Sequence, residues 1–317
     1  MKNNTDFRFI LVMRKSRLQE LIERFNTWSQ AKFYLEHNHV EVTDYLNEHN
    51  LYQKQLTEAE LILKSFGRFQ LLERGLRGLL PSYQFSSHDI VVVIGQDGLV
   101  ANTLKYLNQQ PVIAINPDPS RWDGKLLPFE IGQLKEIIIN TINHKMPFNS
   151  VTFAQAKTND GQSLLAVNDL FIGPKSHTSA RYILQWGDSQ EVQSSSGIIV
   201  STGLGSTGWF QSILAGAMAI TGKASHPLLQ GFSWSDKKLQ FSVREPFPSR
   251  TTGTALTFGT IEPDSPLQLG SLMPENGVIF SDGIEEDYLH FNAGCIVQIN
   301  IADRQGQLIA PKGRQPI

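Results

Sequence analysis

The chain has 317 residues, 40% of them hydrophobic and 18% charged, with a formal net charge of -2. That length exceeds what one core usually organises and predicts two domains, while the near-neutral charge excludes a general electrostatic attraction to nucleic acid. Cys295 is the only cysteine, which excludes an intrachain disulfide or a cysteine-based metal cluster and fits a reducing, cytoplasmic setting.

The first apolar run, FRFILVM from Phe7, is followed at once by RKSR. It is too short to span a membrane and has no small-residue cleavage site, so it reads as a first strand. Ser16 and Gln19 make a capping-box pattern ahead of Leu18, Leu21, Ile22, Phe25 and Trp28, which share one helical face. A more polar helix is expected from about Thr43 to Ser65. DIVVVIG and PVIAIN are almost wholly apolar, as in central strands covered on both faces, and residues 130–143 read as a helix. This alternation predicts a parallel α/β domain over residues 1–147, with room for the C-terminal segment to complete it.

After Pro147 the texture changes to short alternating runs divided by turn chemistry. TNDG separates VTFAQAK from SLLAVNDLFI, and Gly187-Asp188 separates ARYILQW from SQEVQSS. LQFSV, ALTFG, GVIFSDG and CIVQINI continue the pattern, so residues 148–317 are expected to form an antiparallel β domain. One helix interrupts it, directly after the stretch STGLGSTGWF.

That stretch holds Gly203, Gly205 and Gly208 in the spacing G-x-G-x-x-G, after a β-branched strand and before a helix. A dinucleotide-binding fold would place it in the first βαβ unit with an acid about 20 residues on. Here the positions near 228 read PLLQG, so the Rossmann reading fails, and no P-loop pattern occurs elsewhere.

Gly95, Asp97 and Gly98 lie at the carboxyl end of a buried strand and before a helix, where open α/β sheets bind ligands and helix amides face phosphate. Asp97 could bind Mg²⁺ through water, accept a proton from an attacking hydroxyl, or simply cap the helix. Asn168-Asp169 could hydrogen-bond a ribose or base edge, or be turn chemistry. Ser206 and Thr207 read as ligand hydroxyls or a helix cap, and the FSDG containing Asp282 reads most simply as a hairpin turn. Lys175, His177, Arg181, Arg121 and Lys125 could meet a phosphate or lie in solvated loops. The eight histidines show no metal-ligand spacing.

In combination and order, GQDGL (95–99), ND (168–169), GST (205–207) and DG (282–283) resemble the NAD kinase superfamily. INPDPSRWDGKLLP, SSGIIVSTGLGST and LQFSVREP are closer to its mitochondrial-type branch. The resemblance covers roughly Phe7 to Ala310. It implies a two-domain kinase fold, a Rossmann-like parallel sheet followed by an antiparallel β domain. The implied activity is transfer of the γ-phosphate of ATP, with Mg²⁺, to the 2′-hydroxyl of NAD to give NADP. It implies Asp97 as the catalytic base and Gly95, Gln96, Gly98, Leu99 and Asn102 at the ATP phosphates. On the NAD side it implies Asn168, Asp169, Gly205, Ser206, Thr207, Trp209 and Asp282. It further implies a homo-oligomer, dimer or tetramer, working on small molecules without nucleic acid or membrane.

The chain departs from the family at Gln96, where a glycine is usual, at Leu99 in place of threonine, and at Asp169 in place of glutamate; Ser196 stands where most members have aspartate and the mitochondrial-type branch has serine. Two other readings therefore stand beside NAD phosphorylation. One is a kinase for another hydroxyl, on a sugar, nucleoside or lipid, and the other is a nucleotide-binding regulator with impaired catalysis.

Overall fold

In the computed structural model, which describes residues 7–74 and 83–311, the apolar runs of the N-terminal half form a parallel sheet. The chain divides into two units, one of residues up to 148 with a return of the chain from 307, the other of residues 149–306.

The first unit opens with β1 (Arg8–Arg14) and the helices α1 (Arg17–Phe25), α2 (Trp28–His37) and α3 (Val42–Phe66). Next come β2 (Arg68–Arg74), β3 (Asp89–Ile94), α4 (Asp97–Leu104), β4 (Pro111–Ile115) and α5 (Leu134–Ile142). Strand order is β2-β1-β3-β4, all parallel. Every residue of β3 is buried, as a continuous apolar run requires of a central strand. Tyr52, Leu56, Ala59 and Leu63 of α3 and Leu134, Ile137 and Ile138 of α5 join Phe9, Leu11, Ile90 and Val92 in one core.

The Ser16 capping box is present, with Gln19 reaching back to the Ser16 amide. Trp28 does not extend the face of α1 as expected. Asn26 takes a left-handed conformation (φ 63°) and ends α1, and Thr27 caps a new helix by accepting from the Gln30 amide at 3.3 Å. Two residues with strong local alternatives to helix thus override a continuous apolar period.

The second unit holds β5 (Phe148–Thr158), β6 (Ser163–Ala166), β7 (Asp169–Pro174), β8 (Ala180–Trp186), β9 (Ser189–Ser195), β10 (Ile198–Ser201) and α6 (Trp209–Thr221). It continues with β11 (Leu239–Val243), β12 (Phe258–Ile261), β13 (Leu267–Ser271), β14 (Gly277–Ser281), β15 (Ile284–His290) and β16 (Ile296–Ile309). One antiparallel sheet runs β12-β11-β10-β7-β14-β15. Another pairs β13 with β8 and with the first half of β16, and β8 with β9. Their facing sides bury Leu170, Ile172, Tyr182, Leu184, Phe241, Leu267 and Val297.

The run SLLAVNDLFI divides into β6 and β7 at Val167-Asn168. The Asp282 carboxylate accepts from the amides of Val167 (3.0 Å), Asn168 (2.6 Å) and Asp169 (3.4 Å), bonds that divert this backbone from a sheet ladder. FSDG forms the expected hairpin turn, with Asp282 (φ 56°) and Gly283 (φ 72°) both left-handed.

Candidate functional site

The sequence-predicted residues fall into two groups, one in each unit. In the first unit, β3 delivers Gly95 to the carboxyl end of the sheet. A Cβ on Gly95 would stand 2.8 Å from Leu99 Cδ2, so the glycine leaves room for the Leu99 side chain under the loop. Leu99 is only 2% exposed and belongs to the core, so its place is beneath the loop. Asp97 is not the helix cap: Gln96 holds the N-cap position of α4 without a side-chain cap bond, and Asp97 is the first helical residue. One Asp97 oxygen, Oδ1, accepts from the Leu126 amide at 2.8 Å, and Oδ2 has no hydrogen-bond partner among the described residues. That leaves a half-buried carboxylate oriented by one oxygen and open at the other. Asn102 donates to Gly98 O at 2.8 Å, while its own Oδ1 is buried without a partner.

Around this loop lies an ionic network that sequence reasoning touched only at Arg121. Tyr52 Oη donates to Ile94 O at 2.9 Å and accepts from the Arg14 amide at 3.0 Å, tying β1 to β3 at their carboxyl ends. Arg14 pairs with Glu48 at 2.9 Å, and Arg17 pairs with Asp44 at 2.7 Å. Arg121 also grips Asp44, through two hydrogen bonds of 2.5 and 3.2 Å. Hydrogen bonds from Arg121 and then Arg17 hold the Asp44 carboxyl far below the usual carboxylate range.

In the second unit the two short motifs meet through backbone. A Cβ on Gly205 would lie 2.1 Å from Asn168 O, and Thr202 donates its hydroxyl to Val167 O (2.6 Å) and Asn168 O (3.1 Å). Asn168, Asp169, Asp282 and Gly205 are therefore one junction. Ser206 is wholly buried, donating to Gly203 O at 2.6 Å and accepting from the Phe232 amide at 3.1 Å, so its hydroxyl fixes the loop. Thr207 is partly exposed beside it, and the Asn168 side chain is half-exposed. Asp169 is buried, and burial followed by the negative charge of Asp282 pushes its carboxyl up to about 7.

Next to the junction is a cavity of about 520 Å³, within the size range of small-molecule sites. Its wall is an aromatic stack: Trp209 lies on Phe171 (centroids 5.9 Å, planes 8° apart) and Phe171 on Phe280 (4.8 Å). Arg244 sits 5.4 Å over the Trp209 ring and Lys175 sits 4.8 Å over Tyr288. His177 and Ser196 also line it, whereas Arg181 is exposed elsewhere on β8. Stacked rings with cations above them suit a flat ring carrying an anionic group. Phe171, Phe280 and Arg244 gave no local signal, because the stack assembles from β7, β14 and the end of β11.

Among the described residues no group of three or more His, Cys, Asp or Glu side chains is arranged to hold a metal, and no helix is long and apolar enough to cross a membrane.

No protein-family model and no curated protein matches the chain. Solved structures do. An NAD kinase from Archaeoglobus fulgidus, in complex with ATP, is 13% identical with a TM-score of 0.56, over 96% of this chain and 94% of that one. Yeast NADH kinase complexed with NADH is 14% identical with a TM-score of 0.59, over 99% of this chain and 85% of that one. The likeness is one of fold: a parallel α/β unit and an antiparallel β unit built as in NAD kinases.

Proposed function

We propose that this chain is an NAD(H) kinase, transferring the γ-phosphoryl group of MgATP to the 2′-hydroxyl of the adenosine ribose. The observation that carries the reading is Asp97, a carboxylate held by one oxygen and open at the other, at the carboxyl end of the parallel sheet in a fold shared with NAD kinases. In the proposed step the 2′-oxygen attacks the γ-phosphorus and its proton passes to the open Asp97 oxygen. The bond to the bridging oxygen breaks, and ADP leaves with the Mg²⁺ that entered with ATP. Phosphoryl transfer asks chiefly for positioning and charge neutralisation, and an oriented carboxylate with an open oxygen supplies the positioning and the proton acceptor.

On the acceptor side, the cavity wall of Trp209, Phe280 and Tyr288 offers aromatic surface to a flat ring, with Arg244 and Lys175 available to the pyrophosphate. The half-exposed Asn168 amide supplies donors and an acceptor for the ribose. Aromatic surface together with two cations matches a dinucleotide, which carries both a flat base and a pyrophosphate. Leu99 faces the core, so exchange of the family threonine for leucine serves packing under Gly95.

Purified protein with MgATP and either NAD or NADH should form NADP or NADPH, and Asp97→Asn should lower kcat by about 10²–10⁴-fold with KM for the acceptor little changed. Binding of NAD or NADH with no phosphorylation of these or of a sugar and nucleoside panel would replace the kinase with a nucleotide-binding regulator.

A further inference from the structure

Three arginines crowd the carboxyl end of the first unit's parallel sheet, and each has a buried Nε with no hydrogen-bond partner. Arg14 leaves β1, Arg17 starts α1, and Arg121 lies in the segment after β4. They share their counter-ions. Asp44 bridges Arg17 and Arg121, Glu48 bridges Arg14 (2.9 Å) and Arg17 (4.0 Å), and Asp118 stands 3.5 Å from Arg121. The Nε of Arg17 and of Arg121 face these carboxylates without the geometry of a bond.

The guanidinium planes of two of them are fixed by rings, Arg17 4.5 Å from the Tyr45 centroid and Arg14 5.4 Å from that of Tyr52. All three remain reachable, with side-chain exposures of 12%, 32% and 26% for Arg14, Arg17 and Arg121.

The network also closes on the loop that carries Asp97. A Cβ on Gly95 would lie 3.7 Å from Arg14 Cδ, and the segment that bears Arg121 returns five residues later to put the Leu126 amide on Asp97. Buried guanidinium N–H groups without acceptors are costly and need a reason, and arginine forks match phosphoryl oxygens. Two guanidinium groups gripping one carboxylate are close neighbours, as adjacent phosphoryl groups of one chain demand. Carboxyl ends of parallel strands are where such anions bind in open α/β sheets.

We propose that Arg14, Arg17 and Arg121 form an oligophosphate-binding site that holds the phosphate chain of the donor beside Asp97, with Asp44 and Glu48 keeping the forks in place until the anion arrives. The proposal deepens the kinase reading and rests on it for the identity of the anion as donor. The bound group is a chain of linked phosphates, supplied either by a nucleoside triphosphate or by inorganic polyphosphate.

The test is calorimetric titration of the full chain with sodium tripolyphosphate, ATP and adenosine, each with Mg²⁺. Tripolyphosphate and ATP should bind competitively and weaken with added salt, and adenosine should displace neither. Arg17→Gln and Arg121→Gln should each weaken both by about tenfold or more and leave NADH binding unchanged. Asp44→Asn should tighten both, since it releases two forks from their competitor; a purely structural network would instead weaken with every one of these variants. ATP tighter than tripolyphosphate makes the donor a nucleotide, and the reverse order makes it polyphosphate; either supports the site. Where a glutamine variant fails to fold, Arg17→Lys and Arg121→Lys keep the charge but lose the fork and should still weaken binding.

Failure of tripolyphosphate to bind, equal affinities in the arginine variants, or loss of affinity in Asp44→Asn overturns the proposal. Formation of NADP with an unchanged KM for ATP in Arg121→Gln rejects the site while the kinase reading survives. Arginine-dependent binding with no acceptor phosphorylated does the opposite.

Discussion

Asp97 and Asp169 show how one residue type is given two chemistries by its neighbours. Asp97 stays half-buried with an amide on one oxygen, whereas Asp169 is enclosed and faces the charge of Asp282. The Asp169 carboxyl, 3.8 in the open chain and about 7 when folded, binds its proton more tightly in the folded state. The folded state is therefore favoured most below pH 3.8, and that contribution is lost as pH rises through 7. Asp169→Asn removes the ionisation, so its stability relative to wild type should rise between pH 4 and pH 8, by roughly 4 kcal/mol at most. Urea unfolding at pH 4, 6 and 8 measures it, and a pH-independent difference would contradict the assignment. Asp282→Asn keeps Oδ1 for the three amides but replaces Oδ2, which accepts from the Val167 amide at 3.1 Å, with a donor, and should cost about 1–3 kcal/mol at pH 6, where Asp169 is mostly uncharged, read in the same urea series.

At the scale of elements, two glycines of the same segment should respond in opposite directions to one methyl group. Gly205→Ala drives a Cβ to 2.1 Å from the Asn168 carbonyl, a backbone atom that cannot swing away, and should cost about 1–3 kcal/mol or more. Gly216→Ala sits in α6 with nothing within 4 Å and should gain about 0.5–1 kcal/mol from helix propensity. Denaturation midpoints of the pair separate close approach from backbone freedom. Gly205 was singled out by sequence for a ligand loop, but the spacing could not say that its near neighbour is Asn168, 37 positions upstream. Elements set by their own residues were legible: the Ser16 cap, the apolar β3, the Asp282-Gly283 turn. Where distant groups decide, the sequence left Asn168-Asp169 open between ligand contact and turn and gave no sign of the cavity wall. The break in SLLAVNDLFI comes from Asp282 across the sheet, and the cavity wall comes from rings on three separate strands and a helix. The arginine network is of the same kind, because Asp44 meets Arg121 across 77 positions.

At the scale of the whole chain, the last strand carries a consequence for how the protein can be cut. The first half of β16 pairs with β13, but Gln307 and Leu308 pair in parallel with Pro111 and Val112 of β4, and Ile309 enters the core of the first unit. Leu308, Ile309 and Ala310 are all buried, and the Ala310 amide donates to Pro147 O at 2.9 Å. Residues 1–148 expressed alone would expose the apolar edge of β4, an open ladder of unpaired backbone groups that invites aggregation. That fragment should be insoluble, whereas joining 307–317 to it through a flexible linker should recover a soluble, cooperatively unfolding product. In the full chain, Ile309→Ala should cost about 2–5 kcal/mol, as a truncated core side chain does. A soluble, folded 1–148 fragment with an undiminished unfolding midpoint would show that the returning strand is dispensable to the unit that carries Asp97.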